Sequence, residues 1–483
     1  MKYLCLMLLG CSLLLNGPKA RATAGWEHLL SLAPEGSQIG LVVEPVATGP
    51  VRIEYQPRAL MPPASTLKLL TAYASERELG PDFRFHTDLW QRGRRTGNRW
   101  SGDFRLEFSG APDFSRAQLR RLLEQIRDAG IDTIDGNLLL DTSAYDGYGW
   151  GEGWPWNNLS VCYSAPVPAL ILDENCVAAS LRPRAPGTQA RFYIPPHQPL
   201  LVSNEATTVT PAQQRQHLCE LEVDTGPGNR YRLHGCVINN RKIWPLNFAV
   251  TDPVAFAADV MRMQLGELGI HLNGQIREEN ADRDGWQSLA RVSSAPLSKL
   301  LPHMLQASDN LVADSLLKTL GRHHSGTAGN FRNGARALKE RLQRELGLML
   351  DPAVIADGSG LSRDNLLQPA QLAQLLRHLA QHPDALSYSS LAVAGESGTL
   401  RYRRSLRNSV LLDNLRGKSG TINGTTNLAG YLTARSGREY LFVVMVSGIS
   451  LTDEDRRQTR QDPLKHPVRA FERSLLEWIY YNG

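Results

Sequence analysis

The stretch that most constrains this chain is Pro62-Pro63-Ala64-Ser65-Thr66-Leu67-Lys68. Two successive prolines cannot continue a helix from upstream, but they can deliver the chain to the start of a new one. The apolar residues Leu67, Leu69, Leu70, Ala72 and Ala74 predict a helix from Ser65 to Leu79, stopped by Gly80-Pro81. A serine in the first turn has its hydroxyl near unpaired backbone N–H groups and the positive end of the helix dipole. Lys68, three residues on, shares that face, so its amine can reach the hydroxyl. In a dry pocket the amine's pKa falls, and a neutral lysine can take the serine proton.

The spacing alone does not assign the chemistry, because S-x-x-K occurs twice. The second pair is Ser315-Leu316-Leu317-Lys318. Position separates them: Ser65 opens a helix behind two prolines, whereas Ser315 sits inside the helical run Asn310 to Leu320 as an ordinary helix residue.

Met1-Lys2-Tyr3 followed by the apolar run Leu4 to Leu15 has the form of a signal peptide. Ala20-Arg21-Ala22 and Ala22-Thr23-Ala24 both offer cleavage sites, and the second is favoured. Leu8-Leu9-Gly10-Cys11 also resembles a lipid-attachment signal, but the apolar run continues past Cys11. No later stretch approaches the ~18 apolar residues of a membrane span. The expectation is an exported, periplasmic protein, soluble or loosely membrane-associated, with no transmembrane anchor in the mature chain. Removal of the signal takes Cys5 and Cys11 and leaves Cys162, Cys176, Cys219 and Cys236, an even number in an oxidising compartment. Of the three possible connectivities, Cys162–Cys176 with Cys219–Cys236 is favoured, since each pair lies within one loop-rich segment. A zinc site is the rival, disfavoured because no pair has C-x-x-C spacing and no histidines cluster nearby.

A chain of 483 residues predicts two or three domains. Its formal net charge of +5 is scattered, with no basic stripe, nucleic-acid motif or phosphate-binding glycine loop. Short strands (Ile39 to Pro45, Val51 to Tyr55) and the Ser65 helix precede a small α/β unit, in which Arg116 to Ala129 is an amphipathic helix. The Gly147-to-Asn158 segment sets Trp150, Trp154 and Trp156 among glycines and a proline. It predicts an ordered loop that either plugs a domain junction or contacts ligand. Alternating runs from Cys176 to Val237 predict an all-β segment, and from about Asp252 the pattern is mostly helical. Gly417 to Ser447 predicts three strands broken at Asn423-Gly424 and Ser436-Gly437, and Pro467 to Tyr481 a closing helix. The expected division is a signal peptide at 1–24, then a catalytic domain in two parts, 25–85 and 286–483. Between them lies an insert at 86–285, small α/β over 86–170 and β-rich over 171–250.

Two further constellations lie in the second part. Ser308-Asp309-Asn310 is the one S-x-N of the chain, and Lys418-Ser419-Gly420 the one K-[ST]-G. Singly, the first is usually a helix cap and the second a turn. Together with Ser65 and Lys68 they supply what acyl transfer needs. Ser308 can relay a proton, and Asn310 can bond a substrate amide and hold Lys68. Lys418 can bind a carboxylate, and Gly420 lets substrate lie along a strand edge. The Thr421 and Ser65 N–H groups can receive an oxyanion.

The ordered set S-x-x-K, S-x-N, K-[ST]-G is that of class A β-lactamases and penicillin-binding proteins. More closely, the chain resembles the D-alanyl-D-alanine carboxypeptidase/endopeptidase family of the penicillin-binding protein 4 type (class C, low molecular mass). The resemblance runs essentially end to end, through Leu79-Gly80-Pro81-Asp82-Phe83, Ile134-Asp135-Gly136-Asn137, Gly153-Trp154-Pro155-Trp156-Asn157, Ala356-Asp357-Gly358-Ser359-Gly360 and Asn427-Leu428-Ala429-Gly430. It implies an α/β (α+β) fold: a β-lactamase/transpeptidase-like catalytic domain with a large α/β plus all-β insertion. It implies the acyl-serine nucleophile Ser65, base Lys68, relay Ser308 with Asn310, and carboxylate binder Lys418, with no metal or cofactor. The family's third motif usually reads Lys-Thr-Gly, and Ser419 keeps the hydroxyl. The implied partners are peptidoglycan stem peptides and their cross-links, with β-lactam antibiotics as inhibitors.

Two other readings remain. A β-lactamase uses the same motifs, but the roughly 240 residues between Ser65 and Ser308 exceed what that fold needs. A non-catalytic wall-binding scaffold is opposed by the intact Ser65, Lys68, Ser308 and Lys418. One departure from the family stands out. Several members carry an aspartate after Trp-Pro-Trp-Asn that holds a diaminopimelate ammonium, helped by the arginine matching Arg363. Here the position is Asn158, a carbonyl acceptor without charge, with Glu152 nearby as a possible substitute.

Overall fold

The computed structural model describes residues 25–280 and 284–483. The signal peptide expected at 1–24, its cleavage sites, Cys5 and Cys11 lie outside the described residues. No helix among the described residues is long and apolar enough to cross a membrane.

The two ends of the chain build one six-stranded sheet. Its order is Ala392–Val393, Leu415–Ile422, Thr425–Thr433, Glu439–Ser447, Gln38–Pro45, Ile53–Tyr55, and every neighbouring pair is antiparallel. Strand Glu439–Ser447 shows why its sequence is an unbroken apolar run. Leu441, Val443 and Met445 enter the core on one face, while Phe442, Val444 and Val446 enter the core on the other. A strand covered on both sides has no polar face to alternate with. The first core also contains residues of helices Lys68–Leu79, Leu297–Ala307, Asn310–Ser325, Phe331–Leu346 and Pro369–Ala380, and the second those of Pro467–Asn482. The layers are therefore helix, sheet, helix. Asn423-Gly424 and Ser436-Gly437 turn the hairpins, with Gly424 at φ +76° and Gly437 at φ +83°, as the sequence predicts.

The segment between the Ser65 helix and Leu297 forms a seven-stranded sheet and two smaller ones. The larger sheet is built on the hairpin His86–Thr96/Arg99–Phe108. The smaller ones form around Cys176–Arg182 and Arg230–Ile238. Disulfides join Cys162 to Cys176 and Cys219 to Cys236, the connectivity favoured from the sequence. The mostly helical pattern expected after Asp252 is present, but three strands escaped it: His271–Leu272, Ile276–Glu278 and Gln287–Ser293 join the larger sheet. The first two are too short to show a period. Gln287–Ser293 draws its stability from a neighbour distant in sequence, Ser293 pairing with His86. The expected division at 285/286 falls just ahead of that strand, which pairs with His86–Thr96.

The tryptophan loop is wedged at the junction, and its three rings take different places. Trp154 is buried with Val167, Ile171, Leu311 and Leu361, Trp150 donates to the Ser164 carbonyl at 3.1 Å, and Trp156 is 85% exposed. The second S-x-x-K pair serves this junction. Ser315 is fully buried in helix Asn310–Ser325, and Lys318 sends its ammonium into the loop, donating to the carbonyls of Tyr148 at 2.9 Å and Val167 at 2.8 Å. The Phe331 ring lies 4.4 Å from the same nitrogen, and burial lowers the Lys318 pKa to about 8.

Replacing this ammonium strands the buried Val167 carbonyl and releases the part-buried Tyr148 carbonyl, at a cost of about 1–3 kcal/mol. Lys318→Met should lower the thermal unfolding midpoint and shift Trp154 emission to longer wavelength. An unchanged midpoint and spectrum would show that the clamp does not hold the loop.

Candidate active site

Ser65 lies in a short 3-10 turn, Ala64–Leu67, that runs directly into the α-helix Lys68–Leu79. The turn is held from several sides. Ala64 adopts φ +46°, a left-handed conformation unusual for a residue with a side chain. Asn427 donates to the carbonyls of Pro62 at 2.9 Å and Pro63 at 2.8 Å. Two glycines allow the close approach: a Cβ at Gly360 would stand 1.9 Å from the Ala64 carbonyl oxygen, and one at Gly420 would stand 2.8 Å from that of Pro63.

Lys68 has no solvent-accessible surface. Its ammonium donates to Ser65 Oγ at 3.1 Å, Asn310 Oδ1 at 2.7 Å and the Ser359 carbonyl at 2.7 Å. Burial lowers its pKa to about 8, against the opposing pull of Asp314, Asp357 and Asp309. Asp314, one turn beyond Asn310 on the same helix, is also fully buried. Burial and then Asp357 push its carboxyl up to about 8. It accepts from the backbone N–H of Gly358 at 2.7 Å and Ser359 at 3.0 Å, which fixes the loop whose carbonyl meets Lys68. Asp357 accepts from Gly360 and Ser362 N–H, Asn365 and the Trp154 indole.

Across the cleft, Ser308 terminates helix Leu297–Ala307 in a left-handed conformation, φ +62°. Asp309 caps the next helix by accepting from Val312 N–H at 3.0 Å, so the cap expected of Ser-Asp-Asn falls to Asp309 and frees its neighbours. The Lys418 ammonium donates to Ser308 Oγ at 2.8 Å and to the Ser419 carbonyl at 2.9 Å. Burial, then the charges of Lys68 and Arg403, hold the Lys418 pKa well below the usual lysine value. Ser419 Oγ pairs with Thr399 Oγ1 at 2.7 Å.

A cavity of about 380 Å³ is lined by Ser65, Asn158, Ser308, Asn310, Arg363 and Thr421, among others. The ten residues singled out in the sequence thus gather in one place. Six line the cavity, Lys68 and Lys418 reach it through Ser65 and Ser308, and Ser419 and Gly420 share the strand of Thr421. The loop bearing Asn158 is tied through that residue's backbone carbonyl, which accepts from Ser164 Oγ at 2.7 Å. Glu152, the possible substitute charge, is paired with Arg332 at 2.9 Å and lines a different cavity. Sequence reading missed Asp314, the Ser359 carbonyl, Tyr163 and Thr399. Asp314 left a signal as a carboxylate four residues from Asn310 in an otherwise apolar run. No group of acidic, histidine or cysteine residues able to hold a metal occurs among the described residues.

A helix–sheet–helix domain with a buried lysine bonded to a serine at the start of its first long helix defines the β-lactamase/transpeptidase-like class. Within that class, the chain belongs to the D-Ala-D-Ala carboxypeptidase 3 (S13) family, which it matches over residues 26–469. It is 33% identical to the D-alanyl-D-alanine carboxypeptidase DacB of Haemophilus influenzae over 449 residues, 92% of each chain. It is 29% identical to the D-alanyl-D-alanine carboxypeptidase of Actinomadura sp. strain R39 over 436 residues, 86% of this chain and 79% of that one. The crystal structure of Haemophilus influenzae penicillin-binding protein 4 superposes with a TM-score of 0.86, covering 95% of this chain and 99% of that one at 33% identity. The same protein in complex with a novel β-lactam superposes at 0.82, with 32% identity and the same coverage. The family resemblance read from the motifs is borne out, and with it the α/β fold.

Proposed function

We propose that this protein is a serine-type D-Ala-D-Ala carboxypeptidase with DD-endopeptidase activity. It acts on peptidoglycan stem peptides and their cross-links through an acyl-Ser65 intermediate, and penicillins acylate the same serine. One observation carries the reading: a wholly buried Lys68 amine 3.1 Å from Ser65 Oγ, with its pKa lowered into the working range.

Neutral Lys68 takes the Ser65 proton as Oγ attacks the carbonyl of the penultimate D-alanine. The oxyanion is received by the N–H groups of Ser65 and Thr421. Ser308 gives its proton to the departing amine and is resupplied through Lys418. Water then cleaves the acyl ester, its proton passing back through Lys68. The lowered pKa of Lys418 does not oppose a role in carboxylate binding, because an arriving anion favours the protonated amine. Export to the periplasm is part of the same proposal, resting on the expected signal peptide and the two disulfides.

The first test uses a fluorescent penicillin. Lasting label supports the reading, rapid loss of label indicates a β-lactamase, and absence of label a scaffold. Ser65→Ala should abolish both label and peptide hydrolysis, while Ser315→Ala should leave both intact. Loss of label in Ser315→Ala would overturn the assignment.

The second test is the pH dependence of acylation. The base must be neutral, so protonation below its pKa of about 8 removes it. The second-order rate of penicillin acylation should fall about tenfold per pH unit below that value. A rate that stays flat from pH 6 to pH 9 would exclude Lys68 as the titrating base.

The third test concerns Asn158, which shares the Ser65 cavity with Arg363. A neutral amide facing a side-chain ammonium forgoes a charge-assisted bond, so Asn158→Asp should raise kcat/KM for a diaminopimelate-containing peptide about tenfold. A side-chain-acetylated peptide should be unaffected. Equal responses from both would assign Asn158 to the loop and not to the substrate.

A further inference from the structure

A second cavity adjoins the first at Thr421. It measures about 380 Å³ and is lined by Arg403, Arg404, Ser405, Thr421, Thr426, His466, Val468, Arg469 and Glu472. Three guanidinium groups and an imidazole therefore face one carboxylate. That carboxylate is already committed, since both Glu472 oxygens accept from Arg403 and one also accepts from Ser405 Oγ. Arg404 and Arg469 have no such acidic partner in the lining. Arg469 donates to the Pro463 carbonyl at 2.8 Å, and its pKa is lowered by burial, then by Arg404 and Arg403. His466 Nδ1 is buried with no hydrogen-bond partner among the described residues. The cavity also lies at the start of helix Pro467–Asn482, where the helix dipole is positive. Like charges gathered around a half-buried hollow repel one another, and an anion seated among them relieves that repulsion.

We propose that this cavity is a carboxylate-binding subsite for the leaving strand of a peptidoglycan cross-link. The proposal deepens the endopeptidase reading above and rests on it. A carboxypeptidase substrate releases a single amino acid, whose one carboxylate is met beside Lys418 and Ser419. A cross-link releases a whole second stem peptide, which carries further carboxylates beyond the amine that leaves. The arginine cavity shares Thr421 as a wall with the Ser65 cavity, which Asn158 and Arg363 also line. It is placed and charged to receive what only the longer leaving group possesses. Arg404 and Arg469 then set the balance between the two activities by binding, not by chemistry.

The experiment compares a cross-linked muropeptide dimer with a monomeric pentapeptide, using the full chain and the Arg404→Gln/Arg469→Gln double variant. The variant should lose about tenfold in kcat/KM on the dimer, chiefly through KM. On the pentapeptide it should change less than about twofold, and penicillin labelling should be unaltered. A dimer with its acceptor-strand carboxylates amidated should lose the sensitivity to the substitution. Arg404→Lys/Arg469→Lys should recover part of the loss, which a merely structural role would not give. An equal fall on both peptides with label intact would assign the arginines to the leaving amino acid's own carboxylate and overturn the proposal, as would no change on either. A wild-type chain that takes penicillin and trims pentapeptide but leaves the dimer whole would refute the endopeptidase reading itself. Loss of label in the wild type would refute the parent assignment.

Discussion

The site depends on a lysine amine taken wholly out of water. A buried ammonium is tolerated only when its protons are received, and the three acceptors around Lys68 come from three separate segments: the Ser65 turn, helix Asn310–Ser325 and the Ser359 loop. The lysine thus ties those segments to one another. The same burial lowers its pKa, so the feature that fixes the geometry also suits the amine to the base role proposed for it. Asp314 and Asp357 complete the arrangement. Each binds backbone N–H groups of the 357–362 loop, and burial, then the charge of Asp357, raises the Asp314 carboxyl.

What the sequence disclosed follows from which interactions are local. The Ser65 helix, the Asn423-Gly424 and Ser436-Gly437 hairpins and the apolar run of Glu439–Ser447 are each specified by neighbours within a few residues, and they were legible. Three short motifs named the side chains now found around one cavity, because motif chemistry resides in side-chain identity. The Ser359 contribution is a backbone carbonyl, which no residue type announces. The strands His271–Leu272 and Ile276–Glu278 owe their existence to the pairing of distant segments, and two or three residues cannot display a period. The arginine cavity was hidden for the same reason, since Arg403 and Arg404 meet His466 and Arg469 only after the closing helix docks.

The duplicated S-x-x-K pair shows how far a motif depends on its surroundings. Both lysines are buried and both have a pKa lowered to about 8. Lys68 faces a hydroxyl that borders a cavity, whereas Lys318 faces two carbonyls and an aromatic ring. A carbonyl has no proton to give, so Lys318 has nothing to activate. Its bonds tie Tyr148, in the tryptophan loop, and Val167 to helix Asn310–Ser325.

The insert also reaches the Lys68 amine, through Asn310. An asparagine amide can be seated either way round, and only one orientation offers an acceptor to Lys68. Here the Asn310 NH₂ group donates to the Tyr163 carbonyl at 2.8 Å, which leaves Oδ1 turned to the lysine. Tyr163 belongs to the insert and directly follows Cys162, whose disulfide to Cys176 anchors the loop. The Trp154 indole bonds Asp357 from the same inserted segment. The insert therefore supplies part of the wall of the site and the contact that orients Asn310. Without the Tyr163 carbonyl, no partner would hold the Asn310 NH₂ group away from Lys68 and keep Oδ1 turned toward the amine.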